Sequence, residues 1–300
     1  MSCGGCRYNP ESLDEMNSRV SLDTAAVEAL ADSLEGENPG LTIAVFASDP
    51  SSGQRFERRS ERVFHAASTM KVPVMIEVMR QVHNGHFALS DSIVVRNEFS
   101  SIVDGSPYSM DIAEDSDDSV YGRVGERMSI RDLVVQMITV SSNLATNILI
   151  DKIGADSVQA TSERLGTTTM RVLRGVEDLK AYDAGLNNTA TAADLGVLLE
   201  RIAARTAVSP EFDADMIEIM LAQEFGKMIP AGLPAGTPVA HKTGSITRIN
   251  HDAAIVSPDA SPYVLVILTE GIDDHDVSSE MGARITAEIH RAFRPGGSDS

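Results

Sequence analysis

The chain has 300 residues, 42% hydrophobic and 23% charged, an ordinary globular composition that excludes disorder, collagen and coiled coil. Its net charge of −19 favours solvation and repels nucleic acid and anionic lipid. No run approaches the roughly 20 apolar residues that span a bilayer.

Two cysteines, Cys3 and Cys6, form a C-x-x-C in a polar terminus. Two cysteines exclude a disulfide scaffold, and the scattered histidines do not complete a four-ligand zinc site with them. Residues 1–19 and 295–300 are expected to be flexible tails. No basic stretch followed by an apolar stretch marks a signal peptide. Either the protein stays inside the cell or its export signal is missing from this chain, so its compartment is open.

Residues 22–35 carry apolar positions at helical spacing, stopped by Gly36. Residues 41–47 form a short β-branched run and predict a strand, with a second near 54–58 after the Ser51-Ser52-Gly53 turn. Ser68 precedes a mostly apolar helix ended by Gly85, with Pro73 near its first turn, where a missing N–H does least harm. Residues 104–118 hold six acidic and no basic residues (Asp104, Asp111, Glu114, Asp115, Asp117 and Asp118) and predict a solvated loop. Tyr108 lies in it and could flank a substrate. Residues 129–152 carry two helical patterns meeting near Ser141, with Ser129 and Asp132 as a capping pair. Helices follow at 155–165 and 190–204, and 167–189 between them reads as a long loop of the kind that is functional or disordered. Strands are expected at 238–243, 251–257 and 263–270, then a helix at 277–293. The simplest assembly is α/β plus all-α: an antiparallel sheet built from both chain ends with flanking helices, and an inserted helical domain. The α/β part takes 20–65 and 215–294, and the helical domain 66–214.

Three short motifs carry the chemistry. In Ser68-Thr69-Met70-Lys71 the serine hydroxyl needs a base, and Lys71 lies one helical turn away. The helix N-terminus offers N–H groups to a developing oxyanion. Ser141-Ser142-Asn143 sits at a helix junction inside an apolar stretch. His241-Lys242-Thr243-Gly244-Ser245 ends a predicted strand, where lysine and threonine can hold a carboxylate and glycine permits close approach. Each motif alone is weak; a helix cap or a strand end explains it. All three in this order are harder to reach by chance.

With these motifs in place, the sequence resembles the class A β-lactamases, within the active-site serine penicillin-recognising enzymes, whose motif set is S-x-x-K, S-D-N and K-T-G. The resemblance covers about residues 20–293 and is close at FHAASTMKVPVMIEV, MITVSSNLATNILI and HKTGSI. The chain departs from the pattern at Ser142, where the family has aspartate. The resemblance implies Ser68 as nucleophile and Lys71, Glu177 or both as the acylating base. Ser141 would relay a proton to the leaving nitrogen, and Glu177 would direct the deacylating water, with Asp178 as the alternative base. Asn143 would bind the substrate's side-chain amide. Lys242 and Thr243 would hold its carboxylate and support Ser141, Gly244 would line the strand, and backbone N–H groups of Ser68 and Ser245 would form the oxyanion hole. The family's asparagine four residues after the glutamate is Ala181 here, with Lys180 or Asn187 as substitutes. Arg248 is the candidate for the family's carboxylate-binding arginine.

The resemblance implies no cofactor, no metal, a β-lactam as small-molecule substrate, a monomer, and an exported location. His83 and His86 read as a surface pair. Three other readings remain: a penicillin-binding protein or D-Ala-D-Ala peptidase, an esterase on the same scaffold, and a silent binding module.

Overall fold

The computed structural model describes residues 24–257 and 260–294. Cys3, Cys6 and both expected tails lie outside the described residues. Five strands form one antiparallel sheet: β1 (Thr42–Asp49), β2 (Gln54–Arg58), β3 (Val239–Ile246), β4 (Ile249–Val256) and β5 (Tyr263–Glu270). Their order is β2-β1-β5-β4-β3, so the sheet is made from both ends of the chain, as expected. The helices in chain order are α1 (Thr24–Glu37), α2 (Lys71–His83), α3 (Ile130–Thr139), α4 (Asn143–Ile153), α5 (Ala155–Leu165), α6 (Leu179–Asp183), α7 (Ala192–Ala203), α8 (Pro210–Leu221) and α9 (His275–Phe293).

Both faces of the sheet are covered. Ile43, Val45, Leu265 and Ile267 pack against Val27, Leu34, Ile285 and Ile289 of α1 and α9. Ala44, Phe46, Val264, Val266 and Leu268 face the larger core with α2, α3, α4 and α7. This two-sided burial explains the unbroken apolar runs in β1 and β5, where a one-sided sheet would show alternation. At Gly196 of α7 a Cβ would fall 2.4 Å from the Phe46 ring, so glycine there sets how closely α7 lies on β1.

Several boundaries differ from the sequence expectation. The strand carrying Lys242-Thr243-Gly244 does not stop there but continues to Ile246 and turns through Thr247-Arg248 into β4. Arg248 takes a left-handed φ of 61°, a conformation usually signalled by glycine, so the sequence held no cue for this turn. The 167–189 segment contains α6 and pairs back at Arg171 with Thr189. The 104–118 segment is fastened at several points. Phe99–Ser100 pairs with Pro107–Tyr108, and Lys180 Nζ reaches Asp104 at 3.1 Å and Ser106 at 2.5 Å. Helix α8 starts from Ser209 as cap and Pro210 in its first turn, a legible start signal.

Helix α2 carries one fully buried carboxylate. Glu77 accepts from Arg80 Nε and Nη2 at 2.7 and 2.8 Å, Gln81 Nε2 at 2.7 Å and Thr161 Oγ1 at 2.5 Å. Burial pushes its pKa up, but these donors outweigh burial and hold it below the ordinary glutamate value. Its contribution to stability is therefore complete above the unfolded-state pKa and is lost as pH falls through the lower folded value. Glu77→Ala should cost on the order of 3 kcal/mol at pH 7 by stranding these donors. Chemical denaturation should show that deficit shrinking toward acid pH.

Candidate active site

Ser68 lies on the 3-10 turn Ala67–Met70, which runs directly into α2. The turn is held from below: the Ala66 N–H donates to Asn188 O at 2.9 Å, beside the short pairing of Phe64–His65 with Thr189–Ala190. Ala67 has φ 44°, and its N–H donates to His65 Nδ1 at 3.0 Å. Gly244 of β3 comes close to the same turn. A Cβ on it would sit 2.9 Å from the backbone nitrogens of Ser68 and Thr69. The close approach that requires glycine there is made by the protein's own Ser68 turn.

Lys71 has no exposed surface. Its Nζ donates to Ser141 O at 2.6 Å, Asn143 Oδ1 at 2.8 Å and Ser141 Oγ at 3.1 Å. Burial lowers its pKa to about 7, against the opposing charges of Asp115 and Glu177. The first and second motifs thus meet through one ammonium. Ser141 presents both its carbonyl and its hydroxyl by adopting φ 60°.

Asn143 joins the lysine to the glutamate. Its Oδ1 accepts from Lys71, and its Nδ2 donates to Glu177 Oε1 at 2.9 Å. The other oxygen, Oε2, accepts from the Asp111 N–H at 3.3 Å. Burial raises the Glu177 pKa despite these two donors, and Asp115 adds to the rise while Lys71 opposes it. Glu177 also has a left-handed φ of 60°. Its position depends on Asn147, a buried side chain one turn along α4 from Asn143. Asn147 Oδ1 accepts from Val176 N–H at 2.7 Å, and its Nδ2 donates to Val176 O at 3.0 Å. A Cβ at Gly175 would fall 2.3 Å from Asn147 Oδ1, so the loop can press against α4 only with glycine there. Asn147 went unnoticed in the sequence, although an asparagine inside the apolar run of α4 was a readable signal.

The other candidates fall into two groups. Ser68, Ser141, Asn143, Glu177, Thr243, Gly244 and Ser245 all line one cleft of about 1150 Å³. Lys242 lies buried beneath it, donating to Thr243 O at 2.8 Å. Burial pushes the Lys242 amine well down, and the Lys71 charge adds to this. The hydroxyl of Ser141 is held by Lys71 and not by Lys242. The side chains expected to compensate for Ala181 point elsewhere. Lys180 pairs with Asp104, and Asn187 Oδ1 accepts from Arg174 at 3.2 Å. Ala181 itself is fully buried. Asp178 caps α6 and accepts from Ser101 Oγ, Ile102 N–H and Ala181 N–H at 2.9, 2.9 and 3.1 Å. Burial raises its pKa, but these bonds prevail and hold it low, as suits a cap and not a base.

Arg248 is absent from the cleft lining and donates to Gly271 O at 2.9 Å. The arginine and lysine that line the cleft are Arg174 and Lys227. Where the sequence suggested Arg248, β4 brings His251 opposite Gly244. His251 is buried, and burial lowers its pKa to about 4. Its Nδ1 accepts from Thr269 N–H at 3.2 Å, which leaves Nε2 as donor to His65 O at 3.0 Å. Tyr108 does not flank the cleft. Its hydroxyl donates to Val176 O at 3.3 Å and braces the Glu177 loop. Among the described residues, no cluster of three or more His, Cys, Asp or Glu could hold a metal, and no helix is long and apolar enough to cross a membrane.

The arrangement is a serine with a poised amine and a poised carboxylate. Because Lys71 titrates near 7, the rate at which a serine-directed sulfonyl fluoride modifies Ser68 should rise with pH through about 7 and then level. Stopped-flow modification rates across pH 5–9 check this; a flat profile assigns the proton to another group.

Comparison with known proteins agrees over nearly the whole chain. A family model described as the β-lactamase enzyme family matches residues 25–293. A β-lactamase of Rhodobacter capsulatus is 25% identical over 279 residues, covering 91% of this chain and 90% of that protein. The crystal structure of a β-lactamase from Sphaerobacter thermophilus superposes with a TM-score of 0.78 at 27% identity, covering 92% of this chain and all of the other. PBP-A, at 24% identity and a TM-score of 0.76, covers 90% of this chain and 96% of its own and shares the fold.

Proposed function

The chain belongs to the β-lactamase enzyme family, and we propose that it hydrolyses β-lactams through an acyl-enzyme on Ser68. The observation that carries this reading is the bridge Lys71–Asn143–Glu177, with links of 2.8 and 2.9 Å. It joins two candidate proton acceptors, each with its pKa moved toward neutrality by burial: Glu177 in the lining of the cleft that Ser68 also lines, and Lys71 buried one helical turn from Ser68. A base poised near the operating pH is the efficient one.

In the first half-reaction Ser68 Oγ bonds to the lactam carbonyl carbon and loses its proton to Lys71, to Glu177, or to both in relay. The lactam C–N bond then breaks, and Ser141 passes its proton to the leaving nitrogen and receives in its place, through Lys71 Nζ at 3.1 Å, the proton that Ser68 gave up. The developing oxyanion is met by the backbone N–H groups of Ser68 and Ser245, donors whose individual loss costs roughly 10²–10³ in rate. In the second half-reaction Glu177 takes a proton from water, the water oxygen attacks the ester, and Ser68 recovers its hydrogen as the ring-opened acid leaves. Asn143 keeps one Nδ2 hydrogen and one Oδ1 lone pair beyond its bonds to Glu177 and Lys71, enough for a substrate amide. Thr243, Ser245 and the buried Lys242 offer the site for the substrate carboxylate.

One observation favours a second reading. Ala181 offers only a methyl where a side chain would help hold the deacylating water, and a D-Ala-D-Ala peptidase directs no such water at its penicillin adduct, which is therefore long-lived. Intact-protein mass, followed in time beside the colour change of a chromogenic cephalosporin, separates the two. Sustained colour with a short-lived adduct supports the β-lactamase; one turnover with a persistent adduct supports the peptidase.

Two variants test the roles. Ser68→Ala should abolish the mass adduct, and undiminished labelling would remove the nucleophile from this position. Glu177→Ala should slow release of the adduct by about 10²–10⁴ and slow its formation less. An acyl-enzyme that clears at the wild-type rate would place the water base elsewhere.

A further inference from the structure

We propose that Asp115 is a positioning residue for this reaction: its carboxylate seats the first turn of α4 and thereby fixes the Asn143 bridge between Lys71 and Glu177. The inference rests on the reading of the site given above and names a residue which that reading does not use.

The geometry is specific. A helix begins with N–H groups that have no partner within it. In α4, Ser142 Oγ takes the Ala145 N–H at 3.3 Å. The two preceding groups go to Asp115. Asn143 N–H lies 2.9 Å from both Asp115 oxygens, and Leu144 N–H lies 3.0 Å from Oδ2. The residue whose side chain links Lys71 to Glu177 is therefore held by its backbone on a carboxylate from a segment 28 residues earlier. In the family pattern an aspartate occupies the position of Ser142. This chain places an uncharged cap there and brings the carboxylate in from the acidic segment. A negative charge at a helix N-terminus is also favourable to the helix.

The same anchoring serves Glu177 from the other side. Asp111, four residues before Asp115, donates its N–H to Glu177 Oε2 at 3.3 Å. Fastening Asp115 to α4 holds that donor in place, so one carboxylate fixes both groups that grip Glu177. Lys71 on α2, Glu177 on its loop, Asp111 on the acidic segment and Tyr121 just beyond it are the titratable neighbours, with Lys242 of β3 beyond Lys71. The Asp115 charge works against the fall in the Lys71 pKa and adds to the rise at Glu177. The Tyr121 hydroxyl, pushed up by burial and then by Asp115 and Glu177, stays neutral.

Asp115→Asn keeps the shape and a hydrogen-bond acceptor but removes the charge, and Asp115→Glu keeps the charge. Lys71 is followed by NMR in protein labelled with [13Cε]lysine, assigned through Lys71→Arg; this measurement needs no substrate. In D115N the Lys71 midpoint should fall from about 7 by on the order of half a unit or more. The acid limb of cephalosporin turnover should move to lower pH, and kcat should fall about tenfold as the bridge loosens. D115E should keep both midpoints near wild type. A lower melting temperature with unchanged Lys71 titration and unchanged acid limb would make Asp115 a helix cap only and overturn the proposal. Should D115N fail to fold, Asp115→Ser, neutral and smaller, takes the same two readouts. A wild-type protein that turns over no cephalosporin counts against the proposed function, while the Lys71 titration still decides for or against Asp115.

Discussion

A primary amine buried without exposed surface cannot keep a full charge unless oxygen surrounds it. Lys71 satisfies that constraint with three acceptors, and the rest of the cleft follows from where they come from. Two belong to Ser141, whose backbone has to turn into a left-handed conformation to offer carbonyl and hydroxyl together. The third belongs to Asn143, whose amide then has its nitrogen end free to grip Glu177. One desolvated amine thus draws the α2 turn, the α3–α4 junction and the Glu177 loop to a common point. Burial of the same amine lowers its pKa to about 7.

Ala67, Ser141 and Glu177, with φ between 44° and 60°, each occupy backbone conformations that cost a non-glycine residue on the order of 1–3 kcal/mol. Such strain persists only where neighbours over-determine it, and here each instance has a visible restraint. His65 accepts the Ala67 N–H, Lys71 holds the Ser141 carbonyl, and Asn147 grips both sides of Val176 just before Glu177. The last restraint depends on Gly175 lying flat on Asn147. The side chains that point into the cleft are few; those that keep the chain bent toward it lie deeper, on α4 and beside β4.

Hydrophobic period and start signals made the sheet strands and long helices legible, because burial on both faces writes continuous apolar text into β1 and β5. The Ser68, Ser141 and Lys242 motifs were readable by their order, and the Glu177 loop by its lack of period. Asp115 was not readable, because an acidic run looks the same whether its carboxylates face water or cap a distant helix; only the folded chain singles one out. Arg248 misled for a related reason. It sits at a turn made by its own left-handed backbone, which sends the guanidinium to Gly271 while the neighbouring strand presents His251. Local patterns report elements well, but pairings across 28 or more residues are set by tertiary packing.

The carboxylates around the cleft have one more effect. Asp111, Glu114, Asp178, Glu224 and Asp276 all line the cleft of a molecule already carrying −19. An anionic ligand approaching that mouth meets a repulsive potential, which Arg174 and Lys227 in the lining only partly offset. Mobile ions shorten the reach of that repulsion to about 8 Å at physiological ionic strength, while the pairs inside, out of contact with solvent, are barely screened. Added salt therefore weakens the repulsion that an anionic ligand meets at the mouth, the reverse of electrostatic steering.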